Sequence, residues 1–451
     1  MKIQKQVPLT EGPILKSLTG LAVPIMISSF LGTLYNITDM AWIGLLGSKA
    51  VAAVGVGGMY VWLSQGLASL ARMGGQVHVA QCLGRGDKEQ AHRYAKTAVQ
   101  LSILLGLAFA VVSLLFTDPL VGFFKLEGAK TILDAKIYMR ITCGLILFSF
   151  LNLTLTGLYT AQGDSKTPFV ANFIGLLINL LLDPLLILGV GPFPRIEVAG
   201  AAVATVSAQF VVMFVMMVGV FRSKKEENVL KGIRLFEPFS KEELGNICKI
   251  GGPTAIQGMV YCMISMVLTR MVAAFGAEAI ATQRVGGQIE SVSWNTADGF
   301  AAALNAFVGQ NYGAKKMDRV QKGYRISFWT VAIWGALIML AFIIFPGPIA
   351  GVFFHEEKAM EIAISYLIII GFSEAFMCVE LMTIGALSGL GKTKLCSVIS
   401  ITATSMRIPL AMVLSRTSLG LDGIWWALTL TSVAKGIIFY LTFRYQMREK
   451  C

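Results

Sequence analysis

Two carboxylates stand inside long apolar stretches of this chain: Asp39 in LYNITDMAWIG (34–44) and Asp183 in NLLLDP (179–184). An ionisable group in hydrocarbon is costly, so a carboxylate kept there is a candidate for chemistry. Each has polar company at helical spacing. Tyr35 and Asn36 precede Asp39 by one turn, and Asn179 precedes Asp183 by one turn. Thr205, in a later apolar stretch, offers a further oxygen. Carboxylates buried together repel, so one takes up a proton near neutral pH. The same oxygens suit a hard cation, and Asp39, Asn179 and Asp183 are the expected ligands if that cation is Na⁺. Pro184 directly follows Asp183 and frees a backbone carbonyl beside it. The simpler alternative is that these polar groups only tie helices together.

The second half of the chain has its own ionisable groups in apolar surroundings: Arg270, Arg284, Glu290, Asp298, Glu374, Glu380 and Arg407. Glu290, Glu374 and Glu380, with Tyr261, are candidates for contact with a cationic substrate. Internal ion pairs with the arginines are the competing expectation. The 21 methionines and 27 phenylalanines are read mainly as core or lipid-facing, with a subset able to line a site for flat apolar cations.

The elements that must position these residues follow from composition. Of 451 residues, 55% are hydrophobic and only 14% charged, against about 25% charged in a typical soluble protein. Mean hydropathy is +0.69. Too little polar surface is available for a soluble enzyme, a disordered regulator or a disulfide scaffold, and lipid must be the solvent. Twelve apolar runs are long enough to span a bilayer: 18–46, 51–83, 94–116, 131–160, 168–190, 198–221, 247–275, 279–312, 323–346, 360–388, 395–415 and 422–443. Seven scattered cysteines without a CxxC are read as apolar fillers. The polar N-terminus lacks the apolar stretch of a secretory signal, so the first run is expected to be a retained span.

Net charge is +12, and its distribution gives an orientation. Lys2, Lys5 and Lys16 precede the first run. Arg85, Lys88, Arg93 and Lys96 follow the second. Arg222, Lys224, Lys225, Lys231, Arg234 and Lys241 follow the sixth, and Lys315, Lys316, Arg319, Lys322 and Arg325 follow the eighth. Lys392 and Lys394 follow the tenth, and Arg444, Arg448 and Lys450 close the chain. The opposite loops hold few basic residues, so both termini are expected in the cytoplasm of a multi-pass plasma (inner) membrane protein.

The halves repeat at one offset. Pro24 pairs with Pro253, 229 residues on, and so do Gly47 with Gly276, Val56-Gly57-Gly58 with Val285-Gly286-Gly287, Gln81 with Gln310 and Gly84 with Gly313. Gly157 and Gly163 pair with Gly385 and Gly391 at 228. Two six-helix halves in the same orientation make a parallel repeat, with substrate expected between two lobes. The expected lobes are 1–225 and 247–451, joined by a cytoplasmic linker at 226–246. Ser240-Lys241-Glu242-Glu243 reads as a capping box opening the next helix. Pro24, Pro184, Pro253 and Pro409 are expected helix kinks. Asp39 meets Leu268 at the 229 offset, so ion chemistry is expected to be asymmetric and concentrated in the first lobe.

No phosphate loop, HExxH or GxSxG is present, and GDSKT (163–167) and GKTK (391–394) merely follow spanning runs. The chain is therefore expected to be neither an enzyme nor an ATP-driven pump, and to carry no cofactor. Its expected partners are small organic cations and the bilayer, not nucleic acid, and it is expected to be a monomer.

The twelve runs, the repeat, LYNITDMAWIG, NLLLDP, VAQCLGRGD (79–87) with VGQNYGAKK (308–316), and ALSGLGKTK (386–394) together resemble the multidrug and toxic compound extrusion (MATE) family. The resemblance covers nearly the whole chain. It implies an all-α membrane protein whose two six-helix lobes export organic cations in exchange for H⁺ or Na⁺ by alternating access. The family's first-lobe polar cluster falls on Asp39, Asn179 and Asp183 with Tyr35, similar to the DinF-like branch. The NorM-like branch has a carboxylate in its seventh helix, where this chain has Tyr261, and Glu374 and Glu380 do not fall on its tenth-helix position. Two other functions remain open to the sequence: a flippase for a lipid-linked oligosaccharide, for which Arg72, Arg270, Arg284 and Arg407 would supply positive charge, and a channel or membrane-embedded enzyme.

Overall fold

A computed structural model describes residues 7–126, 128–189, 194–223, 228–235, 237–354 and 356–448. Lys2, Lys5, Lys224, Lys225 and Lys450, and the expected boundary at 225/226, lie outside the described residues. Every element among the described residues is an α-helix. The first half runs α1 (Ile14–Gly44), α2 (Ser48–Arg85), α3 (Lys88–Leu115), α4 (Thr117–Gly122), α5 (Ala129–Gly144), α6 (Leu147–Ala161), α7 (Lys166–Ile187) and α8 (Glu197–Arg222). The second runs α9 (Lys241–Ala273), α10 (Ala277–Gly313), α11 (Met317–Ile344), α12 (Pro346–Gly351), α13 (Glu357–Gly371), α14 (Glu374–Gly389), α15 (Thr393–Ser405), α16 (Arg407–Leu414) and α17 (Leu421–Arg448).

Nine helical stretches among the described residues are long and apolar enough to cross a membrane, and eleven if two bent pairs count as spans. The bent pairs are α5 with α6, at 43°, and α13 with α14, at 50°. They cover the single runs expected at 131–160 and 360–388. The run expected at 279–312 is the 37-residue α10, which is long enough, but Arg284, Glu290, Asp298 and its amides make it too polar to qualify by composition. That polarity accounts for the difference from twelve.

Local chemistry explains several boundaries. Asp87 caps α3 by accepting from the Gln90 N–H at 2.9 Å. Asp164 of the GDSKT stretch accepts from the N–H groups of Lys166 and Thr167 at 3.1 and 3.0 Å, which starts α7. Pro409 would clash with the carbonyl of Ser405, and α15 ends at that residue. The helix after Ser240 begins where expected, but Glu243 is buried and lies 3.7 Å from Arg93 of α3 rather than closing a capping box.

The chain forms two compact units. One contains Val7 and Ile27–Gly258; the other contains Pro8–Met26 and the chain from Met259 onward. Hence α1 and α9 each change unit a few residues after their internal prolines, Pro24 and Pro253. In the first unit the segment ahead of α9 is tied to α3 and α6. His92 donates to the Val229 carbonyl at 2.6 Å, and Gln162 accepts from the Val229 N–H at 3.0 Å. Gln100 donates to the carbonyls of Leu235 and Glu237 at 2.9 and 2.7 Å. Lys96 pairs with Glu237 at 2.8 Å and holds that carboxyl below its usual range. In the second unit the segment ahead of α1 is tied in the same manner. Arg319 donates to the carbonyls of Leu9, Glu11 and Gly12, and Asn311 to Leu9.

The repeat is visible in backbone and packing. Gly47 (φ 100°) and Gly276 (φ 110°) precede α2 and α10 in the same conformation, one that side-chain-bearing residues avoid. In each Val-Gly-Gly the first glycine lies against a tyrosine ring, Gly57 on Tyr138 and Gly286 on Tyr366, while the second faces open space. Tyr138 and Tyr366 are themselves 228 residues apart.

Those paired glycines give a contrast. Gly57→Ala and Gly286→Ala place a methyl inside a tyrosine ring and should each destabilise the purified protein by about 1–3 kcal/mol. Gly58→Ala and Gly287→Ala should leave the thermal midpoint unchanged or slightly raised. Thermal unfolding of the four variants in detergent checks this, and equal midpoints across each pair would contradict the packing.

Candidate functional site

In the first unit Asp39 is buried on α1, and Asn179 and Asp183 are buried on α7. The Asn179 Nδ2 donates to Asp183 Oδ1 at 3.3 Å, as their spacing of one turn allows. Asp39 and Asp183 lie within electrostatic range of each other. The Asp39 Oδ1 and the Asp183 Oδ2 are buried with no hydrogen-bond partner. A carboxylate oxygen in that situation needs a proton or a cation to offset its lost hydration.

Tyr35 connects this pair to α8. Its hydroxyl is 2.9 Å from Thr205 Oγ1, and both carboxylates act on it electrostatically. Asn36 is not brought in: it is exposed. Its spacing from Asp39 would have suited a shared face, but Asp39 and Tyr35 set the buried side. Pro184 sits in the last turn of α7, so the carbonyl one turn before it, that of Leu180, loses its usual donor next to Asp183.

One residue of this cluster was missed by sequence reasoning. Tyr138, on α5, is buried and within electrostatic range of both Asp39 and Asp183. Its signal was available: it repeats as Tyr366 at the offset that pairs Gly157 with Gly385. The free oxygens of Asp39 and Asp183, with the Asn179 carbonyl oxygen, are a donor set of the type a hard cation takes.

The second unit holds a separate polar network, centred on Tyr366. Its hydroxyl donates to Glu290 Oε1, and Glu374 and Tyr261 also lie within electrostatic range of it. Its ring stands edge-on to Trp425, with centroids 4.8 Å apart at 88°. Glu374 is buried with neither oxygen hydrogen-bonded. Arg407 is near Glu290 and donates to Thr431 and Ser432 of α17 at 3.0 and 2.9 Å. Glu380 makes a buried ion pair with Lys435 at 2.8 Å. Lys435 had not been singled out in the sequence, because a lysine in the last apolar run looks like any snorkelling cation. Of the expected kink residues, Pro24 and Pro253 lie within unbroken helices, Pro184 within the final turn of α7, and Pro409 beside the break before α16.

Comparison with known families matches MatE to residues 24–185 and 253–413, one stretch in each half. Among curated proteins, a probable multidrug resistance protein NorM of Thermotoga maritima is 29% identical over 98% of this chain and 95% of that protein. An FAD transporter of Shewanella oneidensis is 25% identical over 96% of this chain and 94% of that protein. Among solved structures, a MATE in the straight conformation superposes with a TM-score of 0.90 at 24% identity, covering 99% of both chains.

The buried ion pair supplies a test. Lys435→Met leaves Glu380 without a partner and should destabilise the protein by about 3–5 kcal/mol. The double variant Glu380→Gln with Lys435→Met should recover most of that loss, read as the thermal midpoint of each purified variant. A double variant no better than the single would show that the two side chains do not act as a pair.

Proposed function

Because the chain belongs to the MatE family of multi-pass membrane transporters involved in drug efflux, and is not an enzyme, we propose that it is a secondary active antiporter exporting organic cations in exchange for H⁺ or Na⁺. One observation carries the coupling: Asp39 and Asp183, in two different spanning helices, each hold a buried oxygen with no hydrogen-bond partner. The coupling ion is the substrate of that cluster. A proton would bind one carboxylate; Na⁺ would be held by Asp39, Asp183 and the Asn179 oxygen, with Tyr35 and Thr205 fixing the α1–α8 side.

Loading the cluster removes repulsion between the carboxylates and changes what the α1 segment beyond Pro24 prefers to pack against. Coupling then needs only that ion and drug favour different states of one bistable element. Inward movement of the ion supplies about 2.3 kcal/mol per charge per 100 mV, plus its concentration gradient. The location of the free carboxylates in the first unit, opposite Leu268 in the repeat, supports a DinF-like arrangement. The network of Glu290, Glu374, Glu380 and Tyr261 is then assigned to the cation substrate and to holding the second unit together. Basic residues concentrated on alternate links support an inner-membrane protein with both termini in the cytoplasm.

A second reading concerns the cargo. The FAD transporter relative favours a flavin dinucleotide, an anion, over an organic cation.

Ethidium efflux from energised cells, with the H⁺ and Na⁺ gradients collapsed separately, should stop with one gradient and not the other. Asp39→Asn should fold and reach the membrane yet lose nearly all efflux, and Asp183→Asn should shift the pH or Na⁺ dependence. Full efflux by well-expressed Asp39→Asn would remove the coupling role. Flavin release without ethidium efflux would replace the cation reading by the dinucleotide one.

A further inference from the structure

Where α11 begins and α17 ends, the second unit has a cavity of about 610 Å³. Its wall combines five aromatic rings with three arginines, Gln321 and Met447. Arg325, Arg444 and Arg448 line it, and among the described residues no Asp or Glu does. All three arginines are exposed, and among the described residues none makes an ion pair. The Arg444 guanidinium lies 5.8 Å from the Tyr440 ring centre. Behind it the rings form a rigid floor: Tyr324 stacks on Phe443, Phe328 lies 5.1 Å from Tyr440, and Trp329 meets Phe328 edge-on. Tyr324 is fixed from below by a 3.0 Å hydrogen bond to Thr383. None of these residues belongs to the carboxylate clusters.

Trp and Tyr at a helix end are ordinary for a membrane interface, and so are arginines reaching toward headgroups. A concave site is a different matter, because it converges three planar bidentate donors on one volume above an apolar floor. Arg325 is about 12 Å along α11 from its first residue. That depth suits a phosphodiester and glycerol, with acyl chains continuing past Phe328 and Trp329. Like charges held together without carboxylates call for an anion, and the aromatic floor calls for one with an apolar body.

We propose that the groove between the start of α11 and the end of α17 binds an anionic phospholipid, its phosphate held by Arg325, Arg444 and Arg448 and its glycerol and upper chains on Phe328, Trp329 and Tyr440. The occupant is a lipid of the leaflet that these helix ends face, and the recognised chemistry is a phosphodiester carried by a hydrocarbon anchor.

Native mass spectrometry of the full chain in mild detergent measures this directly. Dioleoyl phosphatidylglycerol should bind the wild type well above dioleoyl phosphatidylcholine. The triple variant Arg325→Gln, Arg444→Gln, Arg448→Gln should weaken phosphatidylglycerol at least about tenfold. A control with equal charge loss elsewhere, Arg222→Gln, Arg234→Gln, Arg416→Gln, should bind it as the wild type does. Equal loss in the control would reduce the effect to general charge attraction, and equal binding of phosphatidylcholine would remove the anion requirement. Displacement by inorganic phosphate at matched concentration would make the ligand a free phosphate rather than a lipid. Each of these overturns the proposal. A second measurement needs only wild type and Trp329→Phe: brominated phosphatidylglycerol should quench wild-type fluorescence more than brominated phosphatidylcholine, and the difference should vanish in Trp329→Phe. Equal quenching by the two lipids in the wild type also overturns it.

Discussion

Hydrocarbon offers no water to a peptide group or a side-chain oxygen, and most of this structure follows from that. Backbone donors and acceptors can be satisfied inside a lipid-facing segment only by a helix, so every element among the described residues is helical. The same rule applies to side chains: a polar group kept in a span needs a partner or a function. Thr142, Thr160 and Thr429 donate to backbone carbonyls, and Lys435 finds Glu380. Against that background, the orphan oxygens of Asp39, Asp183 and Glu374 stand out as those of acids within the spans. They are where the molecule has retained groups that hydrocarbon should have removed.

The repeat explains the frame but not the chemistry. Gly57 on Tyr138 and Gly286 on Tyr366 are the same contact made twice, and the positive-φ Gly47 and Gly276 set the same turn twice. The acids of the two clusters do not repeat. Asp39 corresponds to Leu268 at the offset of 229, and Asp183 to Ala411 at 228, while Glu290 and Glu374 correspond to Val61 and Ile146. The shared tyrosine thus faces two carboxylates from α1 and α7 in one unit and carboxylates from α10 and α14 in the other. One scaffold has been given two different charge arrangements: no basic residue acts on Asp39 and Asp183, whereas Glu290 lies near Arg407.

The exchange of segments gives the prolines a setting. Residues 14–26 of α1 pack with the second unit and the rest of α1 with the first; α9 divides the other way round after Pro253. The segments ahead of both helices are tied down by side chains bonding to backbone carbonyls, Gln100 and His92 in one unit and Arg319 and Asn311 in the other.

Much of this was legible in the residues themselves. A strong apolar bias with few charges dictates membrane helices, because burial in lipid is a property of composition. The fixed offset dictates a repeat, and one-turn spacing places Asn179 beside Asp183. What sequence could not settle depends on contacts between distant elements. Asn36 and Tyr35 both have helical spacing to Asp39, and only packing joins the half-buried Tyr35 to Thr205 and leaves Asn36 exposed. The pairing of Glu380 with Lys435, 55 residues apart, depends on how α14 lies against α17. Tyr138 enters the first cluster because Gly57 lets α5 approach α2, and the groove of Arg325, Arg444 and Arg448 exists because the start of α11 meets the end of α17. Local sequence determines which groups must be satisfied; the tertiary structure decides which partner satisfies them, and which are left without one.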